Sequence, residues 1–123
     1  MAQVAVVSIV DDDESVRAAM SSLVRSLGHE ALVFASAEAF LASPRLSDTS
    51  CLIVDIQMPG MSGLDLQAEL RARRSTIPVI FITAFPEERI RQRAEAAGAI
   101  GFFGKPVDGH TIIKCLDSAL RQA

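Results

Sequence analysis

The chain of 123 residues contains no Trp, no Tyr and only two Cys. Cys51 and Cys115 lack the close spacing of metal-ligand pairs and have apolar neighbours, which favours reduced thiols that pack inside an intracellular protein. The seven Gly and five Pro stand singly, and half of all residues are hydrophobic. These features argue against a disordered or low-complexity segment and predict one folded domain over residues 1–123.

Positive charge is scarce in the first half of the chain. Residues 1–66 carry a net charge of −6 and residues 67–123 a net charge of +3, which gives −3 overall. The apolar run 4–10 has no Lys or Arg before it, is interrupted by Ser8 and ends in four acids, so we expect neither a signal peptide nor a membrane span. The acidic balance also argues against direct nucleic-acid binding. We therefore expect a cytoplasmic domain whose partners are neither nucleic acid nor membrane.

Short apolar runs alternate with longer amphipathic stretches. The predicted strands are 4–10, 31–34, 51–55, 78–83 and 100–103, and the predicted helices are 16–27, 37–41, 63–73, 87–97 and 112–120. The first, third and fourth strands are almost continuously apolar, as strands buried on both faces of a parallel sheet are. Five strand–helix units with right-handed connections predict an α/β fold, a doubly wound parallel sheet with helices on both faces.

Polar residues follow four of the predicted strands. They are Asp11, Asp12 and Asp13 after the first strand, Asp55 at the end of the third, Thr83 at the end of the fourth and Lys105 after the fifth. In doubly wound sheets, ligands bind outside the carboxyl ends of the strands. We therefore expect carboxylates, a hydroxyl and an ammonium group to meet at one edge of the sheet.

Clustered carboxylates repel one another unless a cation joins them. Mg²⁺ is the predicted cation because it binds through one or two carboxylates, waters and a phosphoryl oxygen. Asp55 then suits a nucleophile for a phosphoryl group, whose oxygens Lys105 and the Thr83 hydroxyl contact. The small Ala84 leaves space for that group.

Each of these residues also has an ordinary structural interpretation. Asp13 opens a helix, where an acid caps the first turn and complements the helix dipole. Lys105 alone would be a solvated surface amine, and Ala84 ordinary loop packing. Arg89, Arg91 and Arg93 of the fourth predicted helix would be a solvated face.

Four segments at the strand ends resemble the receiver domain of two-component response regulators. They are Val10-Asp11-Asp12-Asp13, Asp55-Ile56-Gln57-Met58-Pro59-Gly60-Met61-Ser62-Gly63, Thr83-Ala84 and Phe102-Phe103-Gly104-Lys105-Pro106. The resemblance covers essentially the whole chain. It implies a flavodoxin-like three-layer fold of five strand–helix units with the strand order 2-1-3-4-5.

The resemblance implies that Asp55 is the phosphoacceptor and receives a phosphoryl group from the histidine of a sensor histidine kinase. Asp12, Asp55 and the backbone carbonyl of Gln57 would bind Mg²⁺, for which Mn²⁺ substitutes, and Asp11 would assist through a water. It implies no enzyme activity beyond Mg²⁺-dependent self-phosphorylation and autodephosphorylation.

The resemblance assigns the remaining motif residues to reading the acyl phosphate. Thr83, Ala84 and Lys105 would contact the phosphoryl group, and Phe102 would be the switch aromatic whose ring swings inward as Thr83 moves. The family also implies a cis peptide bond between Lys105 and Pro106. Phe85 would either shield the acyl phosphate from water or pack in the helix interface.

The family's output and homodimer surface is formed by the fourth helix, the fifth strand and the last helix upon phosphorylation. Here the predicted partner surface includes Ile90, Arg91 and Ala94. Segments 36–41 and 58–64 are similar to FixJ-type receivers, which usually precede a helix-turn-helix domain that activates transcription. Two interpretations stay open: a receiver from a larger transcription regulator, or a stand-alone regulator that acts through protein contacts.

Other functions fit the sequence less well. The segment 11–15 has the shape of the haloacid-dehalogenase phosphatase motif, but Ser15 replaces the expected Thr or Val and no later paired-Asp motif follows. No G-x-G-x-x-G follows the first strand, and Pro106 stands where a P-loop needs Ser or Thr. A scaffold that cannot be phosphorylated is disfavoured because Asp12, Asp55, Thr83 and Lys105 are all present.

Overall fold

The computed structural model describes residues 4–121 and contains a five-stranded parallel sheet. The strands are β1 (Val6–Val10), β2 (Glu30–Phe34), β3 (Cys51–Asp55), β4 (Val79–Thr83) and β5 (Gly101–Gly104). Their order is β2-β1-β3-β4-β5, which confirms the order implied by the family resemblance. The first three and last two residues of the predicted domain lie outside the described part.

Five α-helices connect and follow the strands. They are α1 (Glu14–Ser26), α2 (Ala37–Leu41), α3 (Gly63–Ala72), α4 (Glu88–Ala96) and α5 (Gly109–Arg121). A short 3₁₀ helix, Leu46–Asp48, precedes β3 and was not predicted. Between residues 4 and 121, every helix is too short or too polar to cross a bilayer.

The hydrophobic core has two parts because successive side chains of a strand point to opposite faces of the sheet. On one face, alternate strand residues such as Ile9, Ile53 and Ile80 pack against Met20 and Val24 of α1 and against Ile112, Leu116 and Ala119 of α5. On the other face, Val10, Val54 and Phe81 pack with Phe40 of α2, Leu66 of α3 and Ala94 of α4. The sheet is therefore the middle of three layers, as predicted.

Local sequence signals set the helix ends. The Asp13 carboxylate accepts hydrogen bonds from the backbone N–H groups of Ser15 and Val16, so its capping role is confirmed. Ser62 caps α3 in a reciprocal box with Asp65. Gly28 ends the turn after α1 with a φ of +85°, in the left-handed region that favours glycine.

Candidate functional site

The strand ends bring the predicted polar residues to one edge of the sheet. Asp11 directly follows β1, Asp55 is the last residue of β3, and Thr83 is the last residue of β4. Asp55 pairs with Ile82 in the β3–β4 register, so these ends are level. One carboxylate oxygen from each of Asp11, Asp12 and Asp55 lies within 4.8 Å of the others. We call these three residues the acidic cluster.

Lys105 reaches into the acidic cluster from the loop after β5. Its Nζ lies 2.9 Å from Asp11 Oδ2 and 3.4 Å from Asp55 Oδ2. The Lys105 backbone N–H donates to the carbonyl of Thr83 at 2.7 Å, and the following peptide bond to Pro106 is cis. Lys105 is thus a partner of two buried carboxylates rather than a solvated surface amine.

Burial and charge act in opposite directions on Asp55, which is only 5% exposed. Burial raises the pKa of this carboxyl, and the Asp11 charge raises it further, while Lys105 opposes both; the net shift is upward. Burial by itself lowers the pKa of Lys105, but Asp11 and Asp55 together outweigh it and raise that pKa. The amine therefore stays protonated as the counter-ion of the cluster.

Asp11 is completely buried and held from three sides. Its Oδ1 accepts a hydrogen bond from the Asp13 N–H at 2.9 Å, and Arg17 Nη1 donates to its backbone carbonyl at 2.8 Å. Its Oδ2 has Lys105 as a neighbouring charge but, among residues 4–121, no hydrogen bond of good geometry. Arg17 thus helps to position the Asp11 backbone, a contact that the sequence did not reveal although Arg17 was expected near the acidic edge, on the face where a kinase helix docks.

A divalent cation suits this arrangement. Three carboxylates share the edge with one ammonium group, and the buried Asp11 Oδ2 has the Lys105 ammonium as its one ion-pair partner among the described residues. Asp12 and Gln57 are exposed, so the cluster has an open side where waters or a phosphoryl oxygen can complete a coordination sphere. The Gln57 N–H approaches Asp55 Oδ1 at 3.4 Å, which keeps the backbone of Gln57 beside that carboxylate.

Gly63 determines how closely α3 approaches Asp55. A Cβ atom at this position would lie 2.3 Å from the carbonyl oxygen of Asp55, far inside van der Waals contact. The Gly63 N–H donates to the carbonyl of Ile56 at 2.9 Å. Gly63 was noted as a motif residue, but its contact with Asp55 joins a strand end to a helix start, and no local pattern reveals it.

Thr83 and the residues after it form the neighbouring wall of the site. Thr83 is buried, and its Oγ1 accepts a hydrogen bond from the Phe85 N–H at 3.1 Å. Ala84 is exposed, consistent with space beside the strand end. Phe85 is 58% exposed, so the alternative that its ring packs in a helix interface is wrong for the described residues.

Phe102 lies on β5, which β4 separates from β3, the strand of Asp55. Its half-buried ring packs against the core that contains Phe81 and Ala94. Phe102 is paired with Phe81 of β4 in the β4–β5 register. Thr83 lies two residues after Phe81 on β4. The proposed inward movement of its ring stays a prediction.

One residue of the predicted partner surface is misplaced. Ala94 is completely buried because α4 packs this face onto the sheet, and Gln67 Nε2 donates to the Ala94 carbonyl at 3.2 Å. It is therefore a core residue and cannot contact a partner. Ile90 is half-buried against the same core, and Arg91 forms ion pairs with Glu88 and Glu95.

Comparison with known proteins shows the family. The response regulator receiver domain model matches residues 7–117. The chain belongs to this family. Receiver domains are the phosphoacceptor modules of two-component signalling, and they interact with sensor histidine kinases.

Relatives of the receiver domain include regulators of greater length. The response regulator protein TodT of Pseudomonas putida is 42% identical over 118 residues, which cover 96% of this chain and 52% of TodT. The solved structure of the response regulator StyR has a TM-score of 0.89 and 39% identity, and the match covers 98% of this chain and 61% of that one. The structure of FixJ-N has a TM-score of 0.87 and 34% identity, covering 99% and 98% of the two chains. The chain spans about half the length of the curated relatives that it matches.

Proposed function

We propose that Asp55 is the residue that receives the phosphoryl group from a sensor histidine kinase. The observation that carries this proposal is the Lys105 ammonium group, which lies between two carboxylates, 3.4 Å from Asp55 Oδ2 and 2.9 Å from Asp11 Oδ2. Asp12 is exposed and cannot offer a comparable enclosed site, and Asp11 is completely buried. Asp55 is the carboxylate that combines enclosure with a neighbouring cation and an open side.

The transfer requires an ionised carboxylate as the nucleophile. An Asp55 oxygen attacks phosphorus, a P–O bond forms, and the P–N bond to the kinase histidine breaks, so that the imidazole nitrogen takes the leaving electron pair. Lys105 stabilises the negative charge of the incoming phosphoryl oxygens. Thr83 and Ala84 lie at the end of the neighbouring strand β4. There the Thr83 hydroxyl can donate to a phosphoryl oxygen, and the small Ala84 leaves space for the group.

Asp12, Asp55 and the Gln57 carbonyl would hold the Mg²⁺ ion, with Asp11 assisting through a bound water, and Mn²⁺ would substitute. When bound, the ion supplies positive charge that neutralises the phosphoryl oxygens during transfer. The side chains then have separate tasks: Asp11 orients Lys105, and Lys105 remains paired with two carboxylates.

The signal would leave through the surface formed by α4, β5 and α5. Phosphorylation adds roughly −1.5 to −2 charges at Asp55, which draws Thr83 and Lys105 toward the new oxygens. Movement of Thr83 opens space for Phe102, and Ile90 and Arg91 are the members of the predicted surface that a partner can reach. We propose a homodimer through this surface in the phosphorylated state.

The output is transcriptional in our proposal. The FixJ relative from Bradyrhizobium diazoefficiens is a transcriptional regulatory protein and is 33% identical over 116 residues. Because the chain matches about half of such relatives, residues 1–123 would form the receiver domain of a longer cytoplasmic regulator. A stand-alone receiver acting through protein contacts is the alternative.

The phosphoacceptor assignment is tested with acetyl phosphate and Mg²⁺, followed by intact mass measurement. We expect one phosphoryl adduct that is stable in acid and labile in base. Asp55→Asn should abolish it, whereas the matched variant Asp117→Asn, which removes an exposed acid of α5, should retain it. An undiminished adduct on Asp55→Asn would contradict the assignment.

A further inference from the structure

A second concave site lies at the opposite edge of the sheet. It is a cavity of about 660 Å³ between the segments that precede β3 and β4 and the end of α3. We call it the basal cavity, and its polar lining includes Ser50, Arg73, Arg74, Ser75 and Thr76. Since strands rise about 3.3 Å per residue, one strand length of roughly 15 Å separates it from the acidic cluster.

The basal cavity presents hydroxyl donors in defined positions. Ser50 Oγ accepts a hydrogen bond from the Val6 N–H at 3.2 Å, and Ser75 Oγ accepts one from the Ile77 N–H at 3.2 Å. A hydroxyl that already accepts keeps its own hydrogen to donate. Backbone N–H groups thus hold both oxygens in place, and each hydroxyl can rotate to donate its hydrogen to a ligand in the cavity.

The charge of the lining is positive. Arg73 and Arg74 contribute two guanidinium groups, and no Asp or Glu of the described chain lines the cavity. Arg73 Nε is paired with Glu69 at 2.8 Å, but Arg74 forms no ion pair with any acid between residues 4 and 121. Guanidinium groups bind phosphate and carboxylate oxygens through paired, charge-assisted hydrogen bonds.

Arg74 has an unusual backbone conformation at this position. Its φ is +60°, and two hydrogen bonds close the turn: the Arg74 N–H donates to the Arg71 carbonyl, and the Ser75 N–H donates to the Leu70 carbonyl. The turns at Gly28 and Gly98, after α1 and α4, have the same two hydrogen bonds. Glycine adopts this conformation without cost, whereas a side chain is strained in it. Two of these three turns therefore have glycine at this position, and the turn that borders the basal cavity has Arg74. Residues with strained backbone conformations are frequent at ligand sites.

The remaining wall is apolar. Leu46, Leu70, Ile77, Pro78 and Ala119 line the cavity between the arginines and the sheet. The volume lies within the roughly 300–1,000 Å³ of small-molecule sites, which typically combine an apolar wall with a few convergent polar groups. An anion with an apolar body matches this surface better than a bare ion.

We propose that the basal cavity binds a small organic phosphate. Its oxyanion lies against the Arg74 guanidinium and the hydroxyls of Ser50 and Ser75, and its organic part lies against Ile77 and Pro78. Phosphate is favoured over carboxylate because its three terminal oxygens can use guanidinium and hydroxyl donors at once. The site would give the receiver a ligand input separate from Asp55.

The test is a titration of the ¹⁵N-labelled protein with phenyl phosphate, followed by amide chemical shifts at constant ionic strength and with EDTA present. We expect saturable shifts at Ser50, Ser75 and Ile77. Arg74→Asn should weaken binding about tenfold, since a charge-assisted hydrogen bond is lost. Asn tolerates the left-handed conformation, so this variant keeps the turn. Arg25→Gln, which removes an exposed Arg of α1, should bind like the unmodified protein.

Two further probes define the ligand class. Inorganic phosphate should shift the same amides with lower affinity, because it lacks the apolar part, and phenol should not bind measurably. The proposal is overturned by equal binding of phenol, by equal affinity of Arg74→Asn, or by shifts confined to Asp11, Asp55 and Lys105. Absence of saturable shifts up to about 10 mM, tenfold above a 1 mM Kd, also overturns it.

Discussion

At the scale of single residues, Gly63 shows how the site depends on a missing side chain. We expect Gly63→Ala to destabilise the protein by about 1–3 kcal/mol, because the new Cβ would lie 2.3 Å from the Asp55 carbonyl oxygen and the backbone must shift. Urea unfolding measures this change. Gly109→Ala is the matched control, since its Cβ would meet only Leu23 Cδ1 at 3.7 Å. Equal unfolding midpoints for Gly63→Ala and the unmodified protein would contradict the expectation.

The ionised Asp55 carboxylate is also expected to lower the free energy of unfolding of the unphosphorylated protein. Its pKa is raised in the folded state by burial and by the Asp11 charge, so the folded protein holds this proton more tightly than the unfolded chain does. The cost is absent below the unfolded pKa, near 4, grows as the pH rises, and is complete above the folded pKa.

Asp55→Asn should therefore raise the free energy of unfolding at pH 7 in the absence of divalent cations, because Asn carries no charge to bury. The difference from the unmodified protein should shrink as the pH falls toward 3. Urea unfolding at several pH values measures both effects. A variant that is less stable than the unmodified protein at pH 7 would show that the pairing of Asp55 with Lys105 outweighs the burial and repulsion.

At the scale of elements, the start of α1 depends on the helix cap that the Asp13 side chain provides. Asp13→Ala should lower the free energy of unfolding by about 1 kcal/mol, because the Ser15 and Val16 N–H groups lose their acceptor. Asp13→Asn should preserve most of the stability, since Asn caps equally well. Thermal unfolding compares the variants. A loss in Asp13→Asn equal to that in Asp13→Ala would assign the effect to charge instead.

Element positions were predictable from the sequence where burial dominates. The apolar runs of β3 and β4 predicted these strands to within one residue, because every position in them is buried. The ends of weaker elements shifted: β1 begins at Val6 rather than at residue 4, and β5 extends to Gly104. Long-range pairing with neighbouring strands, and not local preference, sets these limits.

The site was predictable in its residue types but not in its contacts. The positions of Asp11, Asp55, Thr83 and Lys105 at strand ends predicted that they lie at one edge of the sheet. Parallel strands place their carboxyl ends together there. Ala94 was assigned to the partner surface because the thin apolar stripe of α4 indicated a weakly anchored helix, and only the packing of α4 shows that Ala94 lies in the core. The left-handed Arg74 was equally hidden, because no glycine marks the end of α3.

At the scale of the whole molecule, the acidic first half and the basic second half meet at the site. Asp11, Asp12 and Asp55 come from the half with a net charge of −6, and Lys105 comes from the half with a net charge of +3. One ammonium group cannot compensate three carboxylates, so the folded protein should gain stability from any cation that binds there. A cation that binds only the folded state shifts the folding equilibrium by mass action.

Mg²⁺ should therefore raise the Tm by an amount that grows with the logarithm of its concentration above the Kd. At tenfold excess over its Kd, the ion should add about 1.4 kcal/mol, which corresponds to a Tm increase of several degrees for a domain of this size. Asp12→Asn should weaken the Mg²⁺ response, and Asp117→Asn should leave it unchanged because Asp117 is on α5. KCl at matched ionic strength separates binding from screening. If KCl raises the Tm as much as Mg²⁺, or if Asp12→Asn responds fully, the acidic cluster is not the metal site.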